Sequence, residues 1–356
     1  MDKIYFSVIG AGWRSRIFFR LAKEMPELFG VTEVVARNPK TAKEIQEKWG
    51  YKVVSDISEL KNIGEFTILS LPQQTLPSVI KECNDKGFFV LAETFEVDDV
   101  TVLNDFYKSI KNPQLVQIAE QYAFQPMHSV RLQLIKEGVI GDVTQAIISS
   151  GHGYHGTSLL RRYLGKTFEN CSIKGKLFNG KVVQGPGRAG YPEKEILIDE
   201  EQQSAFLDYG DSMGFYYFTW EQYFSRIRRP HLLIRGTHGE ISNATIRTLA
   251  DFKTPVEYDI IREMNGNNEM PNDLGLAGLT AANKWCYLNK YANFSLSDDE
   301  IAVATALENM AIYVRGGKPA YSLEEGLQDQ YLSIMIKESF KTAGEITTTT
   351  QSFAKK

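Results

Sequence analysis

Cysteine is scarce in this 356-residue chain: Cys83, Cys171 and Cys286 lie far apart and are odd in number. No two have the close spacing of a zinc site, and three scattered thiols make no disulfide framework. They read as reduced, buried filler in a cytoplasmic protein. No apolar run reaches the length of a membrane span. Arg14 and Arg16 interrupt the N-terminal apolar stretch, and no small-residue cleavage site follows, so a secretory signal is not expected there. A basic surplus is also missing, since 40 Lys and Arg face 44 Asp and Glu for a net charge of −4. Binding to nucleic acid or to an anionic membrane is therefore not expected. There is no internal repeat, no low-complexity linker and no metal-ligand cluster. With 43% hydrophobic and 24% charged residues, the chain has a globular composition and a length suited to about two domains.

What is present begins at the N-terminus. The β-prone run Ile4 to Ile9 leads into Gly10-Ala11-Gly12-Trp13-Arg14-Ser15-Arg16, and Ile17 to Ala22 has helical spacing. Strand, glycine turn and helix in this order form the context of a dinucleotide fingerprint. Gly10 makes the tight turn, and Gly12 lets the backbone approach a pyrophosphate at the helix N-terminus. The third glycine is absent, with Ser15 or Arg16 near its place. A plain strand-to-helix turn is the alternative.

Downstream, strands and helices alternate. Strands are expected at Val31–Ala36, Lys52–Val54, Phe66–Leu71, Phe88–Leu91 and Leu115–Ile118. Helices are expected at Lys40–Trp49, Leu76–Asp85 and Val97–Lys111. Continuous apolar strands joined by helices predict a doubly wound parallel sheet, with ligands beyond the strands' carboxyl ends. The informative loops are then those at Gly10, Arg37, Pro72, Glu93 and Glu120. After Pro126 the pattern changes. Helices at Met127–Glu137 and His155–Leu164 flank a strand at Val143–Ser149. Alternating segments follow at Ser172–Val183, Gln202–Tyr209, Ser212–Thr219, His231–Ile234 and Glu240–Ile246, the pattern of an antiparallel sheet. Helices at Asp298–Arg315 and Leu323–Ala343 close the chain. The expected division is a dinucleotide-binding domain over 1–122, an α+β domain with an open, mostly antiparallel sheet over 123–346, and a frayed polar tail over 347–356.

The ordered set of turns resembles the glucose–fructose oxidoreductase / inositol dehydrogenase / MocA-type oxidoreductases. The matching pieces are Gly10-Ala11-Gly12, Ser70-Leu71-Pro72, Gly87 to Glu93, Phe124-Gln125-Pro126 and Lys136 to Gly141. Further on come His155 to Arg161, Gly236 to Ile241 and Gly316-Gly317-Lys318-Pro319. The resemblance implies a Rossmann domain, a nicotinamide cofactor, a sugar or polyol substrate and a homodimer or higher oligomer formed through the C-terminal sheet. It also exposes departures. The family's Glu-Lys-Pro, whose lysine sits beside the reacting oxygen, is here Glu93-Thr94-Phe95. The aspartate four residues before the family's histidine is Gly151, and the one three residues after it is Ser158. Of those polar groups the histidine, His155, remains. A nucleotide-binding sensor or scaffold without turnover is accordingly the rival.

The resemblance and the loop positions together nominate Gly10, Gly12, Trp13, Arg14, Arg37, Leu71, Pro72, Glu93 and Gln121 for the cofactor. His155 is the candidate acid/base, with Thr94 or Tyr154 hydrogen-bonding the reacting oxygen. Glu33 falls inside its strand, whereas Ala36-Arg37 at the strand's end leaves room and a partner for a 2′-phosphate. NADP(H) is therefore expected over NAD(H). Arg161 and Arg162 are expected as solvated helix charges unless they recognise substrate, and His128 and His238 as surface or cap residues. Gln184–Pro192 is a candidate lid or partner arm. Phe215 to Phe218 with Trp220, Tyr223 and Phe224 read as half core and half subunit interface.

Overall fold

The first strand, β1 (Ile4–Ile9), is buried at every position but Tyr5, as a central parallel strand must be. The computed structural model describes residues 2–187, 190–266, 275–342 and 344–354. They divide into two units. One comprises Met1–Gln125, Asn265–Leu276 and Lys290–Leu327; the other comprises Pro126–Met264, Ala277–Asn289 and Gln328–Lys356. The first break thus falls at Gln125 rather than Tyr122, and the first unit takes in a C-terminal segment that the sequence reading assigned to the second.

In the first unit β1 is followed by α1 (Ser15–Glu24), β2 (Phe29–Val35), α2 (Pro39–Trp49), β3 (Val53–Val54), β4 (Phe66–Leu69), α3 (Leu76–Asp85), β5 (Val90–Ala92), α4 (Val100–Ser109) and β6 (Val116–Ile118). Among the described residues the six strands form one parallel sheet in the order β3-β2-β1-β4-β5-β6. The order reverses between β1 and β4, so the connections that follow them leave toward opposite faces of the sheet and open a crevice beyond the strands' carboxyl ends, the usual place for a ligand. Helix α1 turns Phe18, Phe19 and Leu21 inward, each at most 1% exposed and each worth roughly 2 kcal/mol of burial. Helix α2 starts where Asn38 accepts the N–H groups of Lys40 and Thr41 ahead of Pro39 and ends at Gly50.

The second unit contains α5 (Pro126–Lys136), β7 (Val143–Ser149), α6 (Gly153–Leu164), β8 (Ser172–Val183), β9 (Leu197–Asp208), β10 (Met213–Phe218), β11 (His231–Gly236), β12 (Gly239–Ser242), β13 (Thr245–Leu249) and β14 (Pro255–Asp259). A small separate sheet joins β15 (Ile261–Met264), β16 (Leu276–Ala281) and β17 (Lys284–Leu288). The chain ends with α7 (Asp298–Val314), α8 (Leu323–Ser339) and β18 (Ile346–Thr347). The large sheet runs β14-β13-β12-β11-β7-β10-β9-β8-β18. It is mixed, because β10 lies parallel to β7 while the sheet's other pairings among the described residues are antiparallel.

Two local expectations change. Glu240–Ile246 is not one strand: Asn243 takes a left-handed φ of 52° and splits it into the hairpin β12–β13. The Asn243 side chain meanwhile accepts the Leu232 N–H, which holds the turn on β11. The tail is not frayed over its described part. Strand β18 pairs with the start of β8, Thr348 hydrogen-bonds the backbone of Cys171, and Phe353 is buried.

Within the first unit, residues 320–322 cover the open edge of β6. Ile118 donates to the Tyr321 carbonyl, and the Gln117 side chain accepts the Tyr321 N–H. Helix α7 begins with a capping box, Ser297 and Glu300 each accepting the other's backbone N–H. No helix among the described residues is long and apolar enough to cross a membrane.

Candidate functional site

The fingerprint's two glycines are required by different things. Gly10 has φ 121°, and a Cβ there would lie 2.0 Å from the Ser70 carbonyl oxygen, so the fold itself demands glycine. A Cβ on Gly12 would meet nothing within 4 Å. No protein neighbour explains glycine at 12; the open space is what a closely approaching ligand needs. Ser15, standing in for the third glycine, is buried and reaches back toward the same Ser70 carbonyl. Helix α1 then begins with no side-chain cap and no acidic residue in its first turn, which leaves its N-terminal field open to an anion.

Beside this turn lies a cavity of about 360 Å³. Its floor and walls are apolar, with Val35, Ile57, Leu71, Pro72 and Val79 among them, and Arg37, Asn38, Thr41 and Thr75 supply the polar atoms. Gly10, Arg37, Leu71 and Pro72 therefore come together as the sequence suggested. Ile57 was missed, because the short helical turn Ile57–Glu59 carries no motif. Arg37 is exposed at the end of β2. Glu33 is excluded as a ribose ligand. It is buried, ion-paired with Lys52, and accepts the N–H groups of Lys61 and Asn62. Burial works against its charge, but these partners hold its pKa below the usual carboxylate value.

Arg14, Glu93 and Gln121 assemble elsewhere in the first unit, around a residue with no sequence signal. Arg14 Nε donates to Glu93 Oε1 at 2.7 Å and its Nη1 to Asp299 Oδ2 at 3.0 Å; Gln121 Nε2 donates to Asp299 Oδ1 at 3.0 Å. Burial disfavours the guanidinium charge, yet the two carboxylates outweigh it and raise the Arg14 pKa. Asp299 lies in the first turn of α7, 285 residues from Arg14 and 178 from Gln121. The capping box before it was legible; this long-range pairing was not. Trp13 is 62% exposed beside the cluster's arginine in sequence. Thr94 follows Glu93 and is half-buried. Phe95, in the place of the family's proline, is buried edge-on against Phe106 of α4 at 5.4 Å and anchors that loop to the unit's core.

In the second unit His155 sits in the first turn of α6, which starts at Gly153, two residues before the expected start. His155 is 8% exposed, with its ring 4.4 Å from Tyr154 and 5.0 Å from His152. The Tyr223 hydroxyl lies 2.5 Å from His152 Nδ1 and accepts the His152 backbone N–H at 3.1 Å. Burial, then His155 and Lys337, push the His152 pKa down to about 3. This imidazole is neutral near pH 7, with its Nδ1 engaged by the Tyr223 hydroxyl. Trp220 and Tyr223 belong to a single helical turn after β10, not to a strand.

Other polar candidates have structural partners. Arg161 is not a solvated charge; it is 3% exposed, bonded to Asp329 at 2.6 Å and to the Thr167 carbonyl. His128 is not a surface residue. It is buried against the Tyr163 hydroxyl at 2.6 Å, and burial followed by Arg131 pushes its pKa down to about 3. Arg188 and Ala189 of the Gln184–Pro192 loop lie outside the described residues. Cys83, Cys171 and Cys286 are buried free thiols, with burial raising Cys83 to about 12 and Cys171 to about 11.

No family model and no protein of curated function matches the sequence. Solved structures do share the fold. An oxidoreductase from Agrobacterium radiobacter, in complex with NAD+, L-tartaric acid and magnesium, is 13% identical with a TM-score of 0.68, over 97% of this chain and 98% of that one. Levoglucosan dehydrogenase in complex with NADH and levoglucosan is 14% identical with a TM-score of 0.69, over 97% and 99%. The WlbA dehydrogenase from Bordetella pertussis, with NADH and UDP-GlcNAcA, is 15% identical with a TM-score of 0.61, over 97% and 98%. At these identities the likeness is one of fold: a parallel Rossmann sheet followed by a mixed, mostly antiparallel sheet domain.

Proposed function

We propose that the chain is an NADP(H)-dependent oxidoreductase of the glucose–fructose oxidoreductase / inositol dehydrogenase / MocA type, acting on a hydroxyl or carbonyl carbon of a sugar or polyol. The observation that carries this reading is the crevice at the β1/β4 switch point, where Gly10, Leu71, Pro72 and Arg37 line a cavity beside the Gly12 turn and an uncapped helix N-terminus. Those residues fit a dinucleotide, which when bound supplies or accepts hydride. Gly12 and the start of α1 take the pyrophosphate, the apolar cavity takes the adenosine, and Arg37 pairs with a 2′-phosphate. With Glu33 engaged inside the fold, no acidic residue ends β2 among the described residues; the nearby carboxylate is Asp56 past β3, which interacts with Arg37. The solved neighbours named above bind NAD+ or NADH; the NADP(H) preference rests on Arg37 alone.

In this reading His155 moves the proton of the reacting hydroxyl, and Thr94 or Tyr154 hydrogen-bonds the oxygen. Thr94 cannot supply the charge of the lysine it replaces. That replacement and Gly151 favour a second reading, a nucleotide-binding sensor without turnover. Exposed Phe178, Leu197 and Phe206 on β8 and β9 support a homo-oligomer formed through the large sheet. The buried free thiols suit a reducing, cytoplasmic setting. The test is a turnover screen over sugars, sugar acids and carbonyl compounds with both nucleotides. Activity that falls roughly a hundredfold in His155→Asn supports the enzyme; nucleotide binding with no turnover supports the sensor.

A further inference from the structure

The end of β2, where Arg37 stands, has a second loop beside it. Strand β3 runs parallel to β2, with Val54 opposite Val35, and the Ala36 N–H donates to the Val54 carbonyl at 3.0 Å. The two strands therefore leave the sheet side by side, and the loop after β3 lies next to Ala36-Arg37-Asn38. That loop supplies Ile57, 3% exposed, to the wall of the cavity that Arg37, Asn38 and Thr41 also line.

Asp56 starts the helical turn that carries Ile57. Its Oδ1 accepts the Ser58 N–H at 2.9 Å and the Ser58 hydroxyl at 2.6 Å. Oδ2 accepts no hydrogen bond from the described residues, and the side chain is exposed. The turn is held from its other end as well, because the two Glu59 carboxylate oxygens accept the Ser55 N–H and hydroxyl. Ser58, and after it the Arg37 and Lys86 charges, hold the Asp56 carboxyl below the usual range, so it is ionised near pH 7. Arg37 and Asp56 attract one another but do not close into a direct salt bridge among the described residues. The two loops thus carry both signs of charge: Arg37 and Lys40 on one, Asp56 and Glu59 on the other, with Lys86 acting on Asp56 from α3's end. Arg37 is not the sole charge that a group bound beside it would meet.

A 2′-phosphate brings about two negative charges that a 2′-hydroxyl lacks. A carboxylate fixed on the neighbouring loop works against that form of the dinucleotide and not against the other. We propose that Asp56 is a second specificity-determining residue of the nucleotide site, opposing Arg37: it lowers the affinity for the 2′-phosphorylated dinucleotide and thereby keeps the unphosphorylated form within reach. This rests on the dinucleotide reading above and deepens it.

The test is isothermal titration of the full chain and its variants with NADPH and NADH at low and high salt. Asp56→Asn and Asp56→Ser both keep an oxygen that can accept the Ser58 N–H, so the turn is retained while the charge is lost. Each variant raises the NADPH-to-NADH affinity ratio about fivefold over the wild type, chiefly through tighter NADPH binding, and the rise shrinks at high salt. Glu59→Gln removes a carboxylate that Ser55 holds in the same turn, and it changes the ratio by less than about twofold. An unchanged ratio in the Asp56 variants, or one that moves toward NADH, overturns the proposal. An equal rise in Glu59→Gln also overturns it, because the effect would then belong to net charge and not to Asp56. The shift is read against the wild type's own ratio, so it is separate from which nucleotide the wild type prefers. If both nucleotides bind and the ratio does not move, the role of Asp56 alone falls; if neither binds, the oxidoreductase reading falls and this inference with it.

Discussion

Gly10 and Ser70 close the ends of β1 and β4 so tightly that a Cβ on residue 10 would come within 2.0 Å of the Ser70 carbonyl oxygen. Gly12, two residues on, has open space where a Cβ would project. The first glycine is required by the fold; the second is not, and we propose that it serves the dinucleotide. Gly10→Ala is therefore expected to cost about 3 kcal/mol or more, seen as a large drop in the urea midpoint. Gly12→Ala should leave the unfolding free energy within about 0.5 kcal/mol of wild type and still weaken dinucleotide binding by at least about tenfold. Equal stability losses in the two variants would refute the distinction.

Asp299 gathers Arg14 and Gln121, and Arg14 in turn pairs with Glu93. Arg14→Gln leaves Glu93, whose side chain is 12% exposed, without its cation. A loss of about 1–3 kcal/mol is expected in denaturant unfolding. Arg14→Gln combined with Glu93→Gln should recover part of it; a double variant as unstable as the sum of the singles would show no coupling.

His128 and His152 each have a native pKa pushed down to about 3, against 6.5 unperturbed. The unfolded chain therefore binds protons at these sites first as the pH falls. Their contribution to stability is fully present above about pH 6.5 and is lost progressively as the pH drops toward 3. Each adds a slope of up to about 1.4 kcal/mol per pH unit in that window. Urea unfolding at pH 7 and pH 5, where most carboxylates remain charged, measures it. His152→Gln should flatten the slope; an unchanged slope would mean that His152 is not held neutral.

Phe206 is 50% exposed and packs on Phe215 at 4.4 Å on one face of the large sheet. If that face joins subunits, Phe206→Glu lowers the mass seen in sedimentation without lowering the unfolding free energy of the separated chain by more than about 1 kcal/mol. A wild-type monomer would contradict the oligomer outright.

The parallel sheet was legible because its strands are short, continuous apolar runs between helices of regular spacing, as in Phe66–Leu69 and Val90–Ala92. That Gly10, Arg37, Leu71 and Pro72 line one cavity was legible because all four stand at the carboxyl ends of those strands. What was hidden is long-range. Nothing local says that Asp299 reaches Arg14, or that Arg161 spends its charge on Asp329. His128 shows no period that distinguishes a buried histidine from a helix-surface one. The hairpin at Asn243 was hidden for a different reason: its turn holds neither glycine nor proline, and a left-handed asparagine does the work. The catalytic set stays a proposal, because His155 and Thr94 were nominated by resemblance and not by a pattern of their own.

The central claim is that the β1/β4 crevice binds a dinucleotide and that Arg37 chooses its phosphorylated form. Parallel titrations of the wild type and Arg37→Ala with NADPH and NADH, followed by nicotinamide fluorescence, test it most directly. The account predicts that the wild type binds NADPH at least about tenfold more tightly than NADH, and that Arg37→Ala removes the difference. NADH binding as tight as or tighter than NADPH in the wild type would contradict the assignment to Arg37, and binding of neither would contradict the site itself.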